Sequence, residues 1–278
     1  MGGIVWLASY PKSGNTWLRT FLHNLFLNGA APANINQMNS LTLSDNSKFW
    51  YEKVAGRPYE CLSERDISAL TPKVHEAYTR IRSDSVFVKT HHFLGESYGI
   101  PLITPEYTAG AIYILRNPLD TVISVADHYG LTIDEGIDMM NERKTRIGAS
   151  ATAGPDYLSS WSEHVASWQA MQRSALHVMR YEDMLLKPLR AFGSLARFLG
   201  LEPPQPRLRK AIQFSSFNTS RKQEKEKGFI EQSDKNEQFF RVGKAGQWKT
   251  VLSNDQVKRI VSAHADVMEE YGYLPSSQ

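Results

Sequence analysis

WLASYPKSGNTWLRTFL, residues 6–22, passes from an apolar run through Pro, Ser and Gly into a segment whose apolar residues recur at helical spacing. The run begins within GIVWLA, residues 3–8, which is typical of a short strand buried on both faces. Gly29 is a stop signal for the helix that follows. The stretch therefore predicts a strand, a turn and a helix, with Lys12 in the turn.

The same alternation continues along the chain. Three further apolar stretches predict strands: 85–91, 109–116 and 177–185. Helices are predicted from Pro118 onward and over 189–201. Strands alternating with helices indicate an α/β fold in three layers, with a central parallel sheet between helices. The length of 278 residues favours one domain, 1–278.

The composition narrows the classes of partner. Hydrophobic residues make up 41% of the chain, and 32 basic against 29 acidic residues give a net charge of +3, which is too even to favour nucleic acid. Cys61 is the only cysteine, so no internal disulfide framework or cysteine-rich zinc site forms, and we expect a reducing, cytoplasmic location. No apolar run approaches the ~18 residues of a membrane helix, so no membrane contact is expected.

The turn at Lys12 has the chemistry of an anion site. Ligands of open parallel sheets gather where a strand ends and a helix begins. The unpaired amides of Ser13, Gly14, Asn15 and Thr16 would hold a phosphate there, and Lys12 adds a full positive charge. The stretch is not a Walker A loop, because the lysine precedes the only glycine. A solvated turn lysine remains the alternative at this point.

YPKSGNTW, residues 10–17, resembles the 5'-phosphosulfate-binding loop of the cytosolic-type sulfotransferases. These enzymes transfer a sulfuryl group from 3'-phosphoadenosine-5'-phosphosulfate (PAPS) to a hydroxyl or amine. Further blocks follow in the family's order: VKTHH (88–92), LRNPLDTVISVADHYG (115–130), RYEDM (180–184), SSF (215–217) and RVGKAGQWK (241–249). The resemblance implies the P-loop nucleoside triphosphate hydrolase-like sulfotransferase fold, PAPS as donor, 3',5'-diphosphoadenosine (PAP) as product, and no metal.

The resemblance also implies a role for each matching residue. The 5'-phosphosulfate would be held by Lys12, Ser13, Gly14, Asn15 and Thr16, with Trp17 near the adenine. The 3'-phosphate would be held by Arg116, Ser124, Arg241 and the backbone of Gly243. The adenosine would be lined by Tyr181, Ser215 and Phe217. The catalytic set would be His91 as general base with Lys12, Lys89 and Ser124.

Strand alternation agrees with this choice of base. Lys89 and His91 share one face of the predicted strand, while Thr90 and His92 share the other. We therefore expect His91 to be functional and His92 to be structural. In an in-line displacement, Lys12 would meet the charge on the leaving phosphate and Lys89 would stabilise the transferring oxygens. Ser124 would hold Lys12 back until an acceptor arrives.

The chain departs from the family pattern in places. Asn15 stands where many relatives carry Thr, and Val242 stands where many carry a basic residue. The sequence after Trp248 only loosely resembles the family's dimerisation segment, so a homodimer stays open.

Two segments fall outside the strand-helix alternation. We expect an acceptor-site cap over 130–165 and a mobile lid over 218–247, for which a solvated charged loop is the alternative. Aromatic residues in the acceptor regions favour a phenol or hydrophobic alcohol over a charged glycan, unless they are ordinary core: Phe49, Trp50, Tyr51, Tyr157 and Trp161.

Two other classes of protein compete with this interpretation. A P-loop small-molecule kinase would need Mg²⁺ and a Gly-Lys-Ser/Thr loop, which the order of residues here does not supply. A non-catalytic nucleotide-binding protein would not need the lysines and histidine of the catalytic set, all of which are present.

Overall fold

The computed structural model describes residues 2–275. Its strands are β1 Ile4–Ser9, β2 Thr42–Ser44, β3 Val86–Thr90, β4 Glu96–Ser97, β5 Ile100–Pro101, β6 Thr108–Leu115, β7 Arg146–Ile147, β8 Asp156–Tyr157 and β9 Leu176–Arg180. Its helices are α1 Asn15–Leu27, α2 Lys48–Ala55, α3 Glu64–Thr79, α4 Pro118–Tyr129, α5 Ile133–Asn141, α6 Trp161–Gln169, α7 Tyr181–Leu186, α8 Pro188–Phe198, α9 Gln205–Phe214, α10 Phe217–Lys227, α11 Trp248–Val251 and α12 Asn254–Glu270.

Five strands form one sheet in the order β2-β3-β1-β6-β9. Strands β1 and β3 pair in parallel from Ile4 opposite Val86 to Ala8 opposite Thr90, and β2 pairs in parallel with β3. The remaining strands form two antiparallel hairpins, β4-β5 and β7-β8. The predicted parallel α/β sheet is confirmed.

The chain divides into two compact units, each built from separate segments. Unit 1 comprises 1–10, 42–113 and 142–178, and unit 2 comprises 11–41, 114–141 and 179–278.

Unit 1 is organised around β1 and β3. Every residue of β1 is buried, as the continuous apolar run predicts. Helix α3 begins with a capping box in which Ser63 and Asp66 satisfy each other's backbone amides. Trp6 of β1 lies edge-on to the ring of His75 on α3, with centroids 4.9 Å apart.

Unit 2 is a helical assembly around α1. The ring of Phe21 on α1 stacks on that of Phe192 on α8, with centroids 4.2 Å apart. Helix α1 ends at Leu27 rather than at the predicted Gly29, because Asn28 adopts the left-handed cap conformation at φ 48°. Helix α4 begins at Pro118 as predicted, and the side chain of Asn117 accepts from the amide of Leu119.

The prediction of a strand over 177–185 is wrong in its second half. Strand β9 ends at Arg180, and α7 begins at the next residue. Glu182 and Asp183 lie in the first turn of α7, where carboxylates stabilise the positive end of a helix. A run of alternating apolar residues does not reveal this local preference.

The charged segment 218–247 is not a solvated loop throughout. Its first part is helix α10, and Phe229 and Phe240 are buried against Ile35 and Met38. The buried carboxylate of Glu224 on α10 accepts from the amides of Phe239 and Phe240 at 2.6 and 3.1 Å. The apolar residues within this segment therefore anchor it to unit 2, and its role as a lid stays a prediction.

Candidate active site

The turn before α1 is a tight left-handed loop. Lys12 has φ 64° and Gly14 has φ 112°, values that only glycine adopts without strain. A Cβ on Gly14 would come within 2.9 Å of Cδ2 of Tyr181, so the close approach also requires glycine. Ser13 is 1% exposed, and its hydroxyl has no hydrogen-bond partner among the described residues. The loop thus presents a buried polar group with no protein partner.

Arg116 lies beside this loop. Its Nη1 donates to the carbonyl oxygen of Lys12 at 2.9 Å and to Oγ of Ser124 at 3.1 Å. The residue is 5% exposed, and its Nε–H finds no acceptor within residues 2–275. Nε and the neighbouring Nη2 form the side-on edge with which a guanidinium grips phosphate. The guanidinium carbon also lies 4.5 Å from the ring centroid of Tyr181.

Aromatic rings surround the same loop. Trp17 packs edge-to-face on Tyr181 and on Phe192, each with centroids 5.7 Å apart. Burial raises the pKa of the Tyr181 hydroxyl, so it stays protonated. Gly243 has φ 66°, and a Cβ there would come within 2.3 Å of the ring of Phe217. The family-implied Trp17, Tyr181, Phe217 and Gly243 are thus engaged in close contacts within unit 2.

The other family-implied residues of unit 2 have definite partners. Arg241 Nε lies 3.6 Å from a carboxylate oxygen of Asp127, which also accepts from Asn236 at 3.4 Å. The hydroxyl of Ser215 donates to the carbonyl of Ile212 at 3.1 Å, at the end of α9. The partner found for Ser124 is Arg116.

Sequence reasoning missed two residues that contact the loop. Nζ of Lys12 lies 3.7 Å from the ring centroid of Phe239, a cation–π contact. Glu231 forms an ion pair with the buried Arg19 at 2.7 Å, and its second oxygen lies 3.4 Å from the hydroxyl of Thr16. The aromatic pair before Arg241 was the available signal for Phe239. No sequence signal distinguishes Glu231, because it is one of many charged residues in 218–247.

Unit 1 carries His91 at the end of β3. Its Nδ1 lies 2.8 Å from the carbonyl oxygen of Ser9 and 3.2 Å from the Ser9 hydroxyl. A carbonyl only accepts hydrogen bonds, so Nδ1 carries the proton in the neutral ring and Nε2 is the basic nitrogen. Lys89 and His91 are half-buried whereas Thr90 and His92 are buried, which confirms the predicted alternation.

His92 has the partners of a structural residue. Its Nδ1 accepts from the amide of Tyr157 at 2.9 Å, and its Nε2 lies 3.7 Å from Oδ2 of Asp45. Asp45 also binds His75 at 2.8 Å and the hydroxyl of Thr90 at 3.1 Å. These hydrogen bonds hold the chain in place at the end of β3.

The aromatic residues of the acceptor regions are not alike. Tyr51 and Trp161 are core residues at 5% and 0% exposure, and the hydroxyl of Tyr51 bonds to Thr71. Phe49 is exposed. The alternative that these side chains are ordinary core holds for Tyr51 and Trp161.

Residues 2–275 contain no group of three or more His, Cys, Asp or Glu side chains arranged to hold a metal ion. Over the same residues, no helix combines the length and apolar character needed to cross a membrane.

The sulfotransferase domain family matches residues 4–272. The chain belongs to this family. Similar proteins include cytosolic sulfotransferase 17 of Arabidopsis thaliana, 25% identical over 290 residues that cover 97% of this chain and 75% of that protein. Sulfotransferase 1A1 of Canis lupus familiaris is 22% identical over 272 residues, covering 96% of this chain and 83% of that protein.

Two solved structures have a similar fold. Mouse sulfotransferase SULT7A1, solved with PAP, gives a TM-score of 0.63 at 21% identity, covering 96% of this sulfotransferase and 85% of that chain. A retinol dehydratase solved with androsterone and PAP gives a TM-score of 0.67 at 18% identity, covering 96% of this chain and 81% of that chain. The predicted sulfotransferase fold is confirmed, and membership of the family confirms the predicted enzyme class, a PAPS-dependent sulfotransferase.

Proposed function

We propose that this sulfotransferase binds PAPS through the loop at Lys12 and the guanidinium of Arg116, and transfers its sulfuryl group to a small-molecule hydroxyl with His91 as the general base. The observation that carries the proposal is a pair of buried donors, the hydroxyl of Ser13 and Nε–H of Arg116, with no acceptor among the described residues. Unpaired buried donors cost free energy; the 5'-phosphosulfate would satisfy the hydroxyl of Ser13, and the 3'-phosphate would satisfy Nε–H of Arg116.

The 5'-phosphosulfate belongs at the start of α1. Ser13, Gly14, Asn15 and Thr16 supply helix N-terminal amides and hydroxyls, which favour an anion. Lys12 supplies the full charge. Its ammonium now contacts the face of Phe239, and a phosphate oxygen would bind it more strongly than that ring does.

The 3'-phosphate belongs on Arg116. One edge of its guanidinium is committed to Lys12 and Ser124, which leaves the Nε–Nη2 edge for a bidentate contact. Arg241 and the Gly243 backbone complete this part of the site. Val242 supplies no charge there, so Arg116 carries a larger share of the binding.

The adenosine belongs among the aromatic residues. Trp17 would pack near the adenine, and Tyr181, Ser215 and Phe217 would line the nucleoside. Tyr181 contacts both Trp17 and Arg116, which couples the adenosine site to the 3'-phosphate site. We further propose that 218–247 acts as a mobile lid, since Phe239 contacts Lys12 and Glu231 contacts Thr16.

His91 takes the proton of the acceptor hydroxyl on Nε2, while Nδ1–H stays bonded to Ser9. As the acceptor oxygen bonds to sulfur, the bond from sulfur to the bridging oxygen breaks and PAP leaves with the electron pair. Lys12 stabilises the charge that develops on that oxygen, and Lys89 stabilises the oxygens in transfer. Ser124, through Arg116 and the Lys12 carbonyl, fixes the backbone of the loop.

The acceptor is proposed to be a phenol or a hydrophobic alcohol. One similar protein, from Flaveria bidentis, is named flavonol 3-sulfotransferase, 24% identical over 276 residues that cover 92% of this chain and 78% of that protein. We propose 130–165 as the acceptor-site cap, within a single sulfotransferase domain over 1–278. The free, exposed Cys61 suits a cytoplasmic location. A homodimer stays a prediction.

The test is an acceptor screen with PAPS in the presence of EDTA, using phenols, alcohols, amines and glycans. Wild-type enzyme should form PAP and a sulfated phenol or alcohol, and His91→Ala should not. No turnover with PAPS, together with turnover in a parallel screen with ATP and Mg²⁺, would favour a kinase. PAP binding without turnover in either screen would favour a non-catalytic nucleotide-binding protein. Preference for charged glycans would contradict the acceptor class alone.

A further inference from the structure

The polypeptide around His91 is held by side chains from distant parts of unit 1. The carbonyl oxygen of His91 lies 3.0 Å from Nε2 of His164 on α6. A hydrogen bond from the backbone N–H of His91 lowers the pKa of the Asp156 carboxyl group on β8. Both peptide groups that flank the His91 side chain are therefore bound by side chains, in addition to the bond between its ring and Ser9.

His164 has one possible arrangement of protons. Its Nε2 faces a carbonyl, which only accepts, so Nε2 carries the hydrogen. Nδ1 then accepts from the hydroxyl of Tyr113, at 2.8 Å. The side chain is fully buried, and burial lowers its pKa to about 4, so the ring stays neutral and keeps this arrangement. The donor that holds His91 is thus fixed by Tyr113.

Asp156 is a buried carboxyl group with several partners. Its Oδ2 accepts from Nδ2 of Asn46 at 3.1 Å. Burial raises the pKa of Asp156, His92 and Lys89 act in the opposite direction, and the charge of Asp45 adds to the rise. The pKa of this carboxyl group therefore depends on the backbone of His91 and on the charge of Lys89, the two residues to which the proposed mechanism gives catalytic roles.

We propose that Asp156 and His164 are positioning residues for His91, holding its amide and its carbonyl so that the imidazole keeps the bond to Ser9 and aims Nε2 at the acceptor. The proposal rests on the role of His91 in the proposed function. Neither Asp156 nor His164 touches the reacting atoms in this account.

Helix α6 and strand β8 are suited to this role because they hold the residues after His91 as well. Nε1 of Trp168 donates to the carbonyl of His92 at 3.0 Å, and the hydroxyl of Ser167 accepts from the amide of Leu94 at 2.9 Å. Side chains of α6 therefore bind the backbone at three positions, His91, His92 and Leu94. A general base must lie within hydrogen-bonding reach of its proton, and a displacement of ~1 Å costs on the order of 100-fold in rate.

The test compares disruptive and conservative variants at both positions. His164→Leu removes the donor, whereas His164→Gln keeps a donor near Nε2. Asp156→Ala removes the acceptor, whereas Asp156→Asn keeps an oxygen for the amide of His91. Ser167→Ala, which removes a bond to Leu94 rather than to His91, is the matched control.

We expect His164→Leu and Asp156→Ala to lower kcat by about 10- to 100-fold and to leave the Kd for PAP within about twofold of wild type. The Gln, Asn and Ser167→Ala variants should stay within about fivefold of wild-type kcat. The ¹⁵N spectrum of His91, assigned by its loss in His91→Ala, should show a single Nδ1–H tautomer in wild type and a mixture in the two disruptive variants.

Unchanged kcat and tautomer in folded His164→Leu and Asp156→Ala would overturn the inference. So would Gln and Asn variants that lose as much activity as Leu and Ala. If His164→Leu fails to fold, the comparison of kcat between Asp156→Ala and Asp156→Asn tests the positioning role. If His91→Ala is as active as wild type, the proposed function fails; if it is inactive while the disruptive variants are active, only the positioning role fails.

Discussion

Replacing Arg116 with lysine keeps the positive charge of the proposed 3'-phosphate site but removes the planar fork of donors. Nη1 of Arg116 is already committed to Lys12 and Ser124, so the fork available to a phosphate is the Nε–Nη2 edge. A lysine ammonium offers a phosphate one point contact in place of two parallel bonds.

The expected loss of PAP affinity follows from the number of hydrogen bonds that residue 116 donates to the phosphate. A hydrogen bond to a charged group contributes about 1.5–3 kcal/mol, so loss of one of two should raise the Kd for PAP by about 10- to 150-fold. Lysine also leaves either the Lys12 carbonyl or the Ser124 hydroxyl without its donor, and we expect the free energy of unfolding to fall by about 1–2 kcal/mol.

Titration calorimetry with two ligands makes the test specific. PAP carries the 3'-phosphate and 5'-AMP lacks it, so Arg116→Lys should weaken PAP binding and leave 5'-AMP binding within about twofold. Arg259→Lys is the matched control, because Arg259 is a half-exposed arginine paired with Asp134 and Asp138 on the protein surface. Equal losses for PAP and 5'-AMP, or unchanged PAP binding, would refute the assignment of Arg116 to the 3'-phosphate.

Three further predictions follow from other parts of the chain. His91→Ala should lower kcat by about 10²- to 10⁴-fold with the Kd for PAP unchanged, and a parallel loss of both would indicate a structural role. Asp120→Ala removes the carboxylate that accepts from the amides of Gly246 and Trp248 at 2.6 and 3.0 Å. The free energy of unfolding should therefore fall by about 2–4 kcal/mol, and hydrogen exchange should become faster at both amides. The control Asp255→Ala, at an exposed carboxylate, should change neither quantity. Burial lowers the pKa of His264 from 6.5 to about 4. As the pH falls through this range, the unfolded chain binds a proton that the folded chain does not, so the free energy of unfolding should decrease by about 3 kcal/mol. Urea unfolding of His264→Gln across this range should show a smaller fall, and an identical fall would contradict the argument.

The sequence predicted the parts of the fold that depend on hydrophobic pattern and turn chemistry. The buried run of β1, the loop with Gly14 and the Pro118 start of α4 are all local signals. It did not predict that β9 gives way to α7 at Tyr181, because the carboxylates that favour that helix start are read as ordinary polar residues in a strand pattern.

The sequence likewise predicted only some of the residues of the candidate site. Motif residues such as Lys12, Arg116 and His91 were found from the sequence, and their individual roles remain predictions. Glu231 and Asp156 were missed because their contacts join positions far apart in the chain, where neither spacing nor composition carries a signal. Phe239 was missed although the aromatic pair before Arg241 offered a signal, because its contact with Lys12 also joins distant positions. The tautomer of His91 depends on one carbonyl, that of Ser9, and only coordinates reveal it.

The decisive measurement is the transfer of radioactive sulfur from [³⁵S]PAPS to a phenol or hydrophobic alcohol, in EDTA and at saturating donor, for wild type and His91→Ala. We expect labelled acceptor and stoichiometric PAP from wild type, and a rate lower by at least about 10²-fold from a variant that still binds PAP. Labelled product at equal rates from both proteins, or none from wild type with any acceptor class, would contradict it.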